Sequence, residues 1–374
     1  MKILHVITGL QAGGAERMLF NLVTRMDSRF TSHVVSLGSE GVYGEKLRSA
    51  GIPAICLGMN PGRPSLTGLA GLVRTSLAFR PDIIQGWMYH GNLAGCLIPR
   101  RKAKTKLLWN IRQTLYSMAY EKAGTAFVIK AGAKLSGIPA SIVYNSKLSS
   151  LQHEKIGFKD SKTILIPNGF DLDAFKPDST AKSKLQKSLN LSPDSSLIGL
   201  IARYHPMKGH ADFLAAAQVV VAKKPNVHFL MVGTGVDQSN QDLMNAVQSS
   251  GISTRIHCLG ERKDVSAIVA GLDVLCVASI YGEGFPNVIG EAMASGVGCV
   301  VTDIGDSALI LGEGGIAVEP GNPKGLSEGI HRWLDMEANE RERIKHALRD
   351  RVTKNDSIAS VARAYENLYE QLSM

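Results

Sequence analysis

The sequence predicts an α/β protein of two successive domains, each an open, mostly parallel sheet covered by helices. Two observations carry that expectation. The chain has 374 residues, too many for one typical core and enough for two of ~150–200 residues. Short β-branched runs alternate with helical patterns through the first half. They stop at a Pro-, Gly- and Asp-rich connector, IPNGFDLDAFKPD (166–178), and then begin afresh.

Taken in order, KILHVITG (2–9) reads as a strand. Ala15–Thr24 follows as an amphipathic helix, with Met18, Leu19, Leu22 and Val23 on one face. Strands are expected at 31–38, 52–57, 82–87, 106–111 and 141–145, and helices at 45–50 and 66–79. After the connector, strands are expected at 197–202, 227–232, 256–259, 274–278, 299–302 and 316–318. Helices fall near 209–223, 239–250, 264–271, 286–295, 323–335 and 338–353. Ile358, Val361, Ala362, Tyr365, Leu368 and Leu372 keep helical spacing, so 356–371 forms a terminal docking helix. Alternation of this kind gives parallel sheets, which bind ligands at the carboxyl ends of their strands.

Composition narrows the class. Hydrophobic residues make up 44% and charged ones 20%, which excludes a disordered chain. The 38 glycines follow no G-X-Y period, which excludes collagen. The five cysteines (56, 96, 258, 276, 299) show no CxxC spacing, which argues against a zinc ribbon. Cys276 and Cys299 lie in apolar runs and read as buried thiols of a reduced compartment. No targeting segment or bilayer-length apolar run is visible, so a soluble or peripheral protein is expected.

The charge is one-sided. Residues 1–176 carry 23 Lys and Arg against 10 Asp and Glu, a balance of +13, while the rest of the chain stands at −4. The densest cluster is Arg100, Arg101, Lys102, Lys104 and Lys106. Such a half favours anionic partners, an acidic lipid surface or pyrophosphates. Nucleic acid is not expected, because few aromatics interleave the basic run and no RNP, zinc-finger or helix-turn-helix signature is present.

Three segments could carry chemistry. In TGLQAGGAE (8–16) a strand runs into a Gly-rich turn, where Gly13 and Gly14 let the backbone approach an anion at a helix N-terminus. A short-chain dehydrogenase shares that turn. Its Tyr-x-x-x-Lys pair has one match here, Tyr204–Lys208, with Pro206 breaking the helix it needs. In IARYHPMKGH (201–210), Arg203 and Lys208 follow a strand, where two cations suit a departing pyrophosphate. In SIYGEGFPNVIGEAMASG (279–296), Pro286 fits a first helical turn, so Glu283 sits in the loop before the helix and Glu291 along it. Gly284, Phe285 and Asn287 bring amides to the same mouth. Two carboxylates beside phosphates repel unless the cations join them, so acids and cations are expected in one composite site.

Glu283-x7-Glu291 within GFPNVIGEAMASG resembles the signature of retaining glycosyltransferases of family 4, with the GT-B fold. GGAE (13–16), IPNGFD (166–171), Arg203 with Lys208-Gly209, VGTG (232–235), LGER (259–262) and the terminal helix follow in the family's order, so the resemblance spans nearly the whole chain. It implies two Rossmann-like domains facing across a cleft: residues 1–170 plus 356–374 for the acceptor, and 171–355 for the nucleotide-sugar donor. It implies that Glu283 contacts the donor sugar near its reacting carbon. Gly284, Phe285, Pro286, Asn287 and Val288 hold sugar hydroxyls and phosphate, and Glu291 the ribose. Arg203 and Lys208 neutralise the diphosphate, and Gly13 and Gly14 face the phosphates from the first domain. His90, in WMYHGNLAG, matches a first-domain histidine near the donor sugar. Gly233, Gly235, Gly260 and Arg262 line the base pocket, although VGTG departs from the family's acidic variant of that turn.

The resemblance further implies a donor that is a nucleotide-diphosphate sugar, with UDP the expected nucleotide. It implies no cofactor and no metal, and the sequence lacks the Asp-rich spacing of a Mg²⁺ clamp. Hinge motion near 166–178 would close the domains over the donor. The expected acceptor is a lipid-linked glycan of cell-surface polysaccharide assembly, met by loops 59–65, 86–92 and 110–125. Together with the charge, this places the chain in the cytoplasm, peripheral on the inner face of an anionic membrane, helped by the apolar stretch Leu115–Ile129. Three rivals stay open. An epimerase of the same fold would turn over a donor without an acceptor. A silent binding module would have lost one of Glu283, Glu291, Arg203 or Lys208. A membrane-surface protein would bind vesicles but no nucleotide.

Overall fold

A computed structural model of the chain describes residues 1–60, 65–100 and 105–373. Among these, thirteen strands build two sheets, and every paired strand is parallel. The chain divides into two compact units. Unit 1 comprises Met1–Gly169 and Ile358–Met374, and unit 2 comprises Phe170–Ser357. The chain therefore leaves unit 1 at Gly169 and returns at Ile358, so the terminal helix Ile358–Ser373 belongs to the first unit.

Unit 1 holds β1 (Lys2–Ile7), β2 (Thr31–Ser36), β3 (Ala54–Cys56), β4 (Ile83–Trp87), β5 (Lys106–Ile111), β6 (Ser141–Tyr144) and β7 (Thr163–Leu165), in the order β3-β2-β1-β4-β5-β6-β7. The strand order reverses between β1 and β4, the place where open α/β sheets leave a crevice for ligands. Burial on both faces explains why β1 and β4 are apolar apart from Lys2 at the exposed start and the buried His5 and Gln85. The terminal helix lays Ile358, Val361, Ala362, Tyr365, Leu368 and Tyr369 into the core on one side of the sheet.

That docking is polar as well as apolar. Asn110 donates to the Tyr365 hydroxyl at 2.7 Å, and the buried Arg112 guanidinium donates to the same oxygen at 2.8 Å. Arg112 also reaches Asn168 Oδ1 from Nε (2.9 Å) and the Pro167 carbonyl (3.0 Å). The connector expected at 166–178 thus starts as a pinned segment. Arg112 lies in the sheet's fifth βα loop, where propensity gives no sign of such a role.

Unit 2 holds β8 (Ser196–Ile201), β9 (Val227–Val232), β10 (Ile256–Cys258), β11 (Val274–Val277), β12 (Gly298–Thr302) and β13 (Ile316–Val318), in the order β10-β9-β8-β11-β12-β13. Its reversal lies between β8 and β11. Cys276 and Cys299 are buried free thiols on the adjacent strands β11 and β12.

The alternation pattern did not predict helices at Met88–Leu97, Lys147–Lys155 and Ala181–Ser188. Pro286 caps its helix, which begins at Asn287, rather than entering the first turn. The stretch Leu115–Ile129 is not one apolar surface. Leu115 and Ile129 are core residues, whereas Tyr116 and Phe127 are exposed. Arg101, Lys102 and Lys104 of the basic cluster, and most of the 59–65 loop, lie outside the described residues.

Candidate functional site

In unit 2 the chemistry gathers where the strand order reverses. The loop after β8 (202–209) carries Arg203 and Lys208, and the loop after β11 (278–286) carries Glu283. These two loops leave neighbouring strands, and the structure joins them directly. The Lys208 ammonium is paired with Glu283 Oε1, both side chains being largely buried. Ser279 Oγ donates to the same oxygen at 2.7 Å. A carboxylate only 8% exposed therefore keeps its charge compensated by a cation and a hydroxyl. Arg203 is exposed and has no side-chain partner among the described residues.

Backbone contacts fix the Glu283 loop. The Ile280 amide donates to the Met207 carbonyl at 2.8 Å, tying the loop after β11 to the loop after β8. The Asp306 amide donates to the Gly284 carbonyl at 2.9 Å. Two glycines allow this closeness. Gly209 has φ 65° and Gly305 φ 66°, a left-handed conformation that L side chains disfavour. A Cβ on Gly209 would also run into the Ala278 carbonyl, and one on Gly305 into the carbonyls of Glu283 and Gly284. The Phe285 ring stacks on Phe170 at 6.1 Å, and Val288 packs against the unit 2 core, so their side chains hold the loop down. What this stretch offers a ligand is backbone.

Glu291 is the fifth residue of the helix Asn287–Ala294 and is 6% exposed. The glycine turns after β9 and β10 are bonded to each other: Gly233 N–H to Gly260 O (2.8 Å), and Gly260 N–H to Val236 O (2.8 Å). The Tyr204 amide reaches Thr234 O (2.8 Å), which brings the Arg203 loop into the same set. Arg262 is exposed and makes a bidentate pair with Asp264 (2.7 and 2.6 Å).

Unit 1 has its own cluster at its own reversal. Gly13 is the extended residue before the helix Gly14–Val23 and gives it no side-chain cap. The Glu16 side chain folds back over Gly13, and burial raises its carboxyl pKa. His90 was expected in a loop. It lies instead in the first turn of the helix Met88–Leu97, which leaves β4 through Met88 at φ 62°. A non-glycine residue in that region marks a sharp, strained turn, the kind found at functional sites. Burial lowers the His90 pKa, which favours the neutral imidazole. Beside it, Tyr89 donates to His153 Nε2 at 2.7 Å while His153 Nδ1 faces the Ser149 carbonyl at 2.7 Å. That fixes the tautomer of a histidine whose pKa burial lowers to about 4.

The sequence pointed to Glu283, Lys208, Glu291 and the glycine turns, and unit 2 brings Glu283 and Lys208 into contact. It did not point to Ser279, Gly305 or Asp306. Their signal was faint: Gly305 and Asp306 lie just past an expected strand (299–302), and Ser279 only heads the segment SIYGEGFPNVIGEAMASG. Among the described residues, no helix is long and apolar enough to cross a membrane.

Residues 12–174 match the family described as Glycosyltransferase Family 4, and residues 195–336 match Glycosyl transferases group 1. The N,N'-diacetylbacillosaminyl-diphospho-undecaprenol alpha-1,3-N-acetylgalactosaminyltransferase of Campylobacter jejuni is 26% identical over 88% of this chain and 89% of its own. EpsF of Bacillus subtilis is 25% identical over 89% of this chain and 86% of its own. Among solved structures, HepE of Anabaena in complex with UDP superposes with a TM-score of 0.86 at 22% identity, covering 99% of this chain and all of the other. Two parallel-sheet Rossmann-like units, matched in sequence through most of their length, make the chain a glycosyltransferase of family 4 with the GT-B fold.

Proposed function

We propose that this glycosyltransferase moves a sugar from a nucleoside diphosphate, UDP in the first instance, to a hydroxyl of a lipid-linked glycan, with retention and without a metal ion. The observation that carries the reading is the meeting of Lys208 and Glu283 at the strand reversal of unit 2. A cation beside a carboxylate suits a site that holds a diphosphate and a sugar together. Each neutralises the other until the donor arrives.

In the reaction, the bond between the sugar's anomeric carbon and the diphosphate oxygen breaks. The acceptor oxygen bonds to that carbon on the same face, and the acceptor's proton goes to the departing phosphate. Negative charge grows on the diphosphate, and fixed donors stabilise it without reorganisation. Lys208, Arg203 and the amides of Gly284, Phe285 and Asn287 take that work, which replaces a metal. Glu283 accepts from sugar hydroxyls, Glu291 holds the ribose, and Gly233, Gly235, Gly260 and Arg262 frame the base. Gly13, Gly14 and His90 keep the donor roles that the family resemblance assigns them. The Campylobacter relative acts on a diphospho-undecaprenol sugar and HepE was solved with UDP, which supports both ends of the proposal.

The same reading places the protein at an anionic membrane surface in the cytoplasm. The helix Ala123–Leu135 turns Phe127 outward at 73% exposure, and Lys122, Lys130 and Lys134 are exposed around it. An exposed ring among lysines suits an acidic headgroup layer. The test supplies UDP-glucose, UDP-galactose and UDP-N-acetylglucosamine, each with an undecaprenyl-diphosphate-linked sugar, with and without a chelator. Acceptor-dependent UDP release and an α-linked product that survives the chelator support the proposal. A donor isomerised with no acceptor present, or an inverted linkage, overturns it.

A further inference from the structure

Glu283 is held from one side by Lys208 and from the other by the Ser279 hydroxyl. Ser279 is the second residue past β11, is 1% exposed, and donates from Oγ to Glu283 Oε1 at 2.7 Å. Its backbone is fixed in turn. Thr302, the last residue of β12 and 3% exposed, donates from Oγ1 to the Ser279 carbonyl at 2.7 Å and to the Val277 carbonyl at 3.2 Å. A chain of hydrogen bonds therefore runs from the rigid edge of β12, through the first turn beyond β11, to one oxygen of the loop carboxylate.

We infer that Ser279 is a positioning residue for the transfer reaction, holding Glu283 Oε1 so that Oε2 faces the ligand, and that Thr302 steadies Ser279. This rests on the donor-binding role proposed for Glu283. The physical case is one of geometry and charge. A loop carboxylate with a single partner, a flexible four-carbon lysine, keeps several rotamers, and a diphosphate competes for that lysine. When Lys208 turns to the phosphates, the Ser279 hydroxyl is the remaining named donor on Glu283 Oε1. A hydrogen bond to a charged acceptor is among the stronger ones in a protein interior. It would keep the carboxylate in place while the sugar binds. Supporting groups of this kind decide whether a reacting group stands in productive geometry.

The experiment compares wild type with Ser279→Ala, Ser279→Thr, Thr302→Val, Glu283→Gln and the Ser279→Ala/Glu283→Gln double variant. Urea unfolding of each gives a stability cycle that needs no substrate. UDP release from UDP-glucose, UDP-galactose and UDP-N-acetylglucosamine gives kcat and KM. The inference predicts that Ser279→Ala lowers the folded-to-unfolded ratio about tenfold in the wild-type background and little in the Glu283→Gln background. It predicts a kcat loss of about tenfold or more in Ser279→Ala with KM nearly unchanged, substantial recovery in Ser279→Thr, and a smaller loss in Thr302→Val. An additive stability cycle overturns the inference, and so does a folded Ser279→Ala with wild-type kcat. A Glu283→Gln variant that turns over at the wild-type rate overturns the Glu283 reading instead. Ser279→Thr behaving like Ser279→Ala would mark the serine as a packing residue and also count against the inference.

Discussion

The two units place chemistry at the same topological position with different materials. In unit 2 the strand reversal is lined by short turns whose amides and glycines do the shaping, and by one ion pair. In unit 1 the loops after β1 and β4 carry side chains instead: His90 beyond a strained Met88, and Glu16 folded over a helix start. A nucleotide diphosphate presents the same phosphates to every enzyme that uses it, so backbone suits it. Under the proposed function unit 1 also meets the acceptor, which differs from enzyme to enzyme, and longer connections suit that task. The comparison yields predictions of descending size.

The largest effect falls on unit 2. Glu283→Gln keeps size and loses charge, and should lower transfer by about 10²–10³-fold while the chain stays folded. Circular dichroism and UDP release check both halves. Wild-type turnover would erase the distinction between the units.

Gly209→Ala tests the backbone claim. A left-handed residue pressed against the Ala278 carbonyl should cost at least about 2 kcal/mol of stability, with nucleotide binding weakened too. Denaturant midpoints measure the first and calorimetry with UDP the second. If Gly209→Ala unfolds like wild type, the turn is not as tight as described.

For unit 1, the Lys130→Ala/Lys134→Ala pair should weaken binding to acidic phospholipid vesicles, read by sedimentation, about thirtyfold at low salt, at about 1 kcal/mol per lysine. Binding of soluble UDP should be unchanged. Equal sedimentation would move the membrane contact elsewhere in the basic half.

The smallest concerns a unit 2 carboxyl lacking the pairing that Glu283 enjoys. Burial pushes the Asp356 pKa up to about 6, more than Arg351 draws it down. A carboxyl with a raised folded pKa binds its proton more tightly in the native state, so ionising it costs stability. That cost is absent below about pH 4, grows between pH 4 and 6, and is complete above. Partial exposure holds it to about 1 kcal/mol. Asp356→Asn should therefore raise the melting temperature at pH 8 and leave it unchanged at pH 4.

The fold was legible where apolar runs are bounded by Gly or Pro: the helices Leu66–Phe79 and Pro323–Asp335 and the strand Val227–Val232 stand where the pattern put them. Two of the missed helices share a different trait. Met88–Leu97 buries Gly91, Asn92 and Gly95, and Lys147–Lys155 buries Ser149, Ser150 and His153, so neither shows an apolar stripe. The unit 2 residues given a donor role by the proposal were legible because a backbone site demands glycines and charges at fixed spacing. The supports were not. Ser279, Gly305 and Arg112 act on partners 4 to 253 positions away, and local sequence carries no trace of a partner brought in by the fold.

Calorimetric titration of UDP into the wild-type protein and into Lys208→Ala is the most direct test. The account predicts measurable binding to wild type and at least a tenfold weaker affinity in the variant, because an ammonium facing a diphosphate supplies a charge-assisted bond. Undiminished affinity in Lys208→Ala, or no heat with either protein, would contradict it.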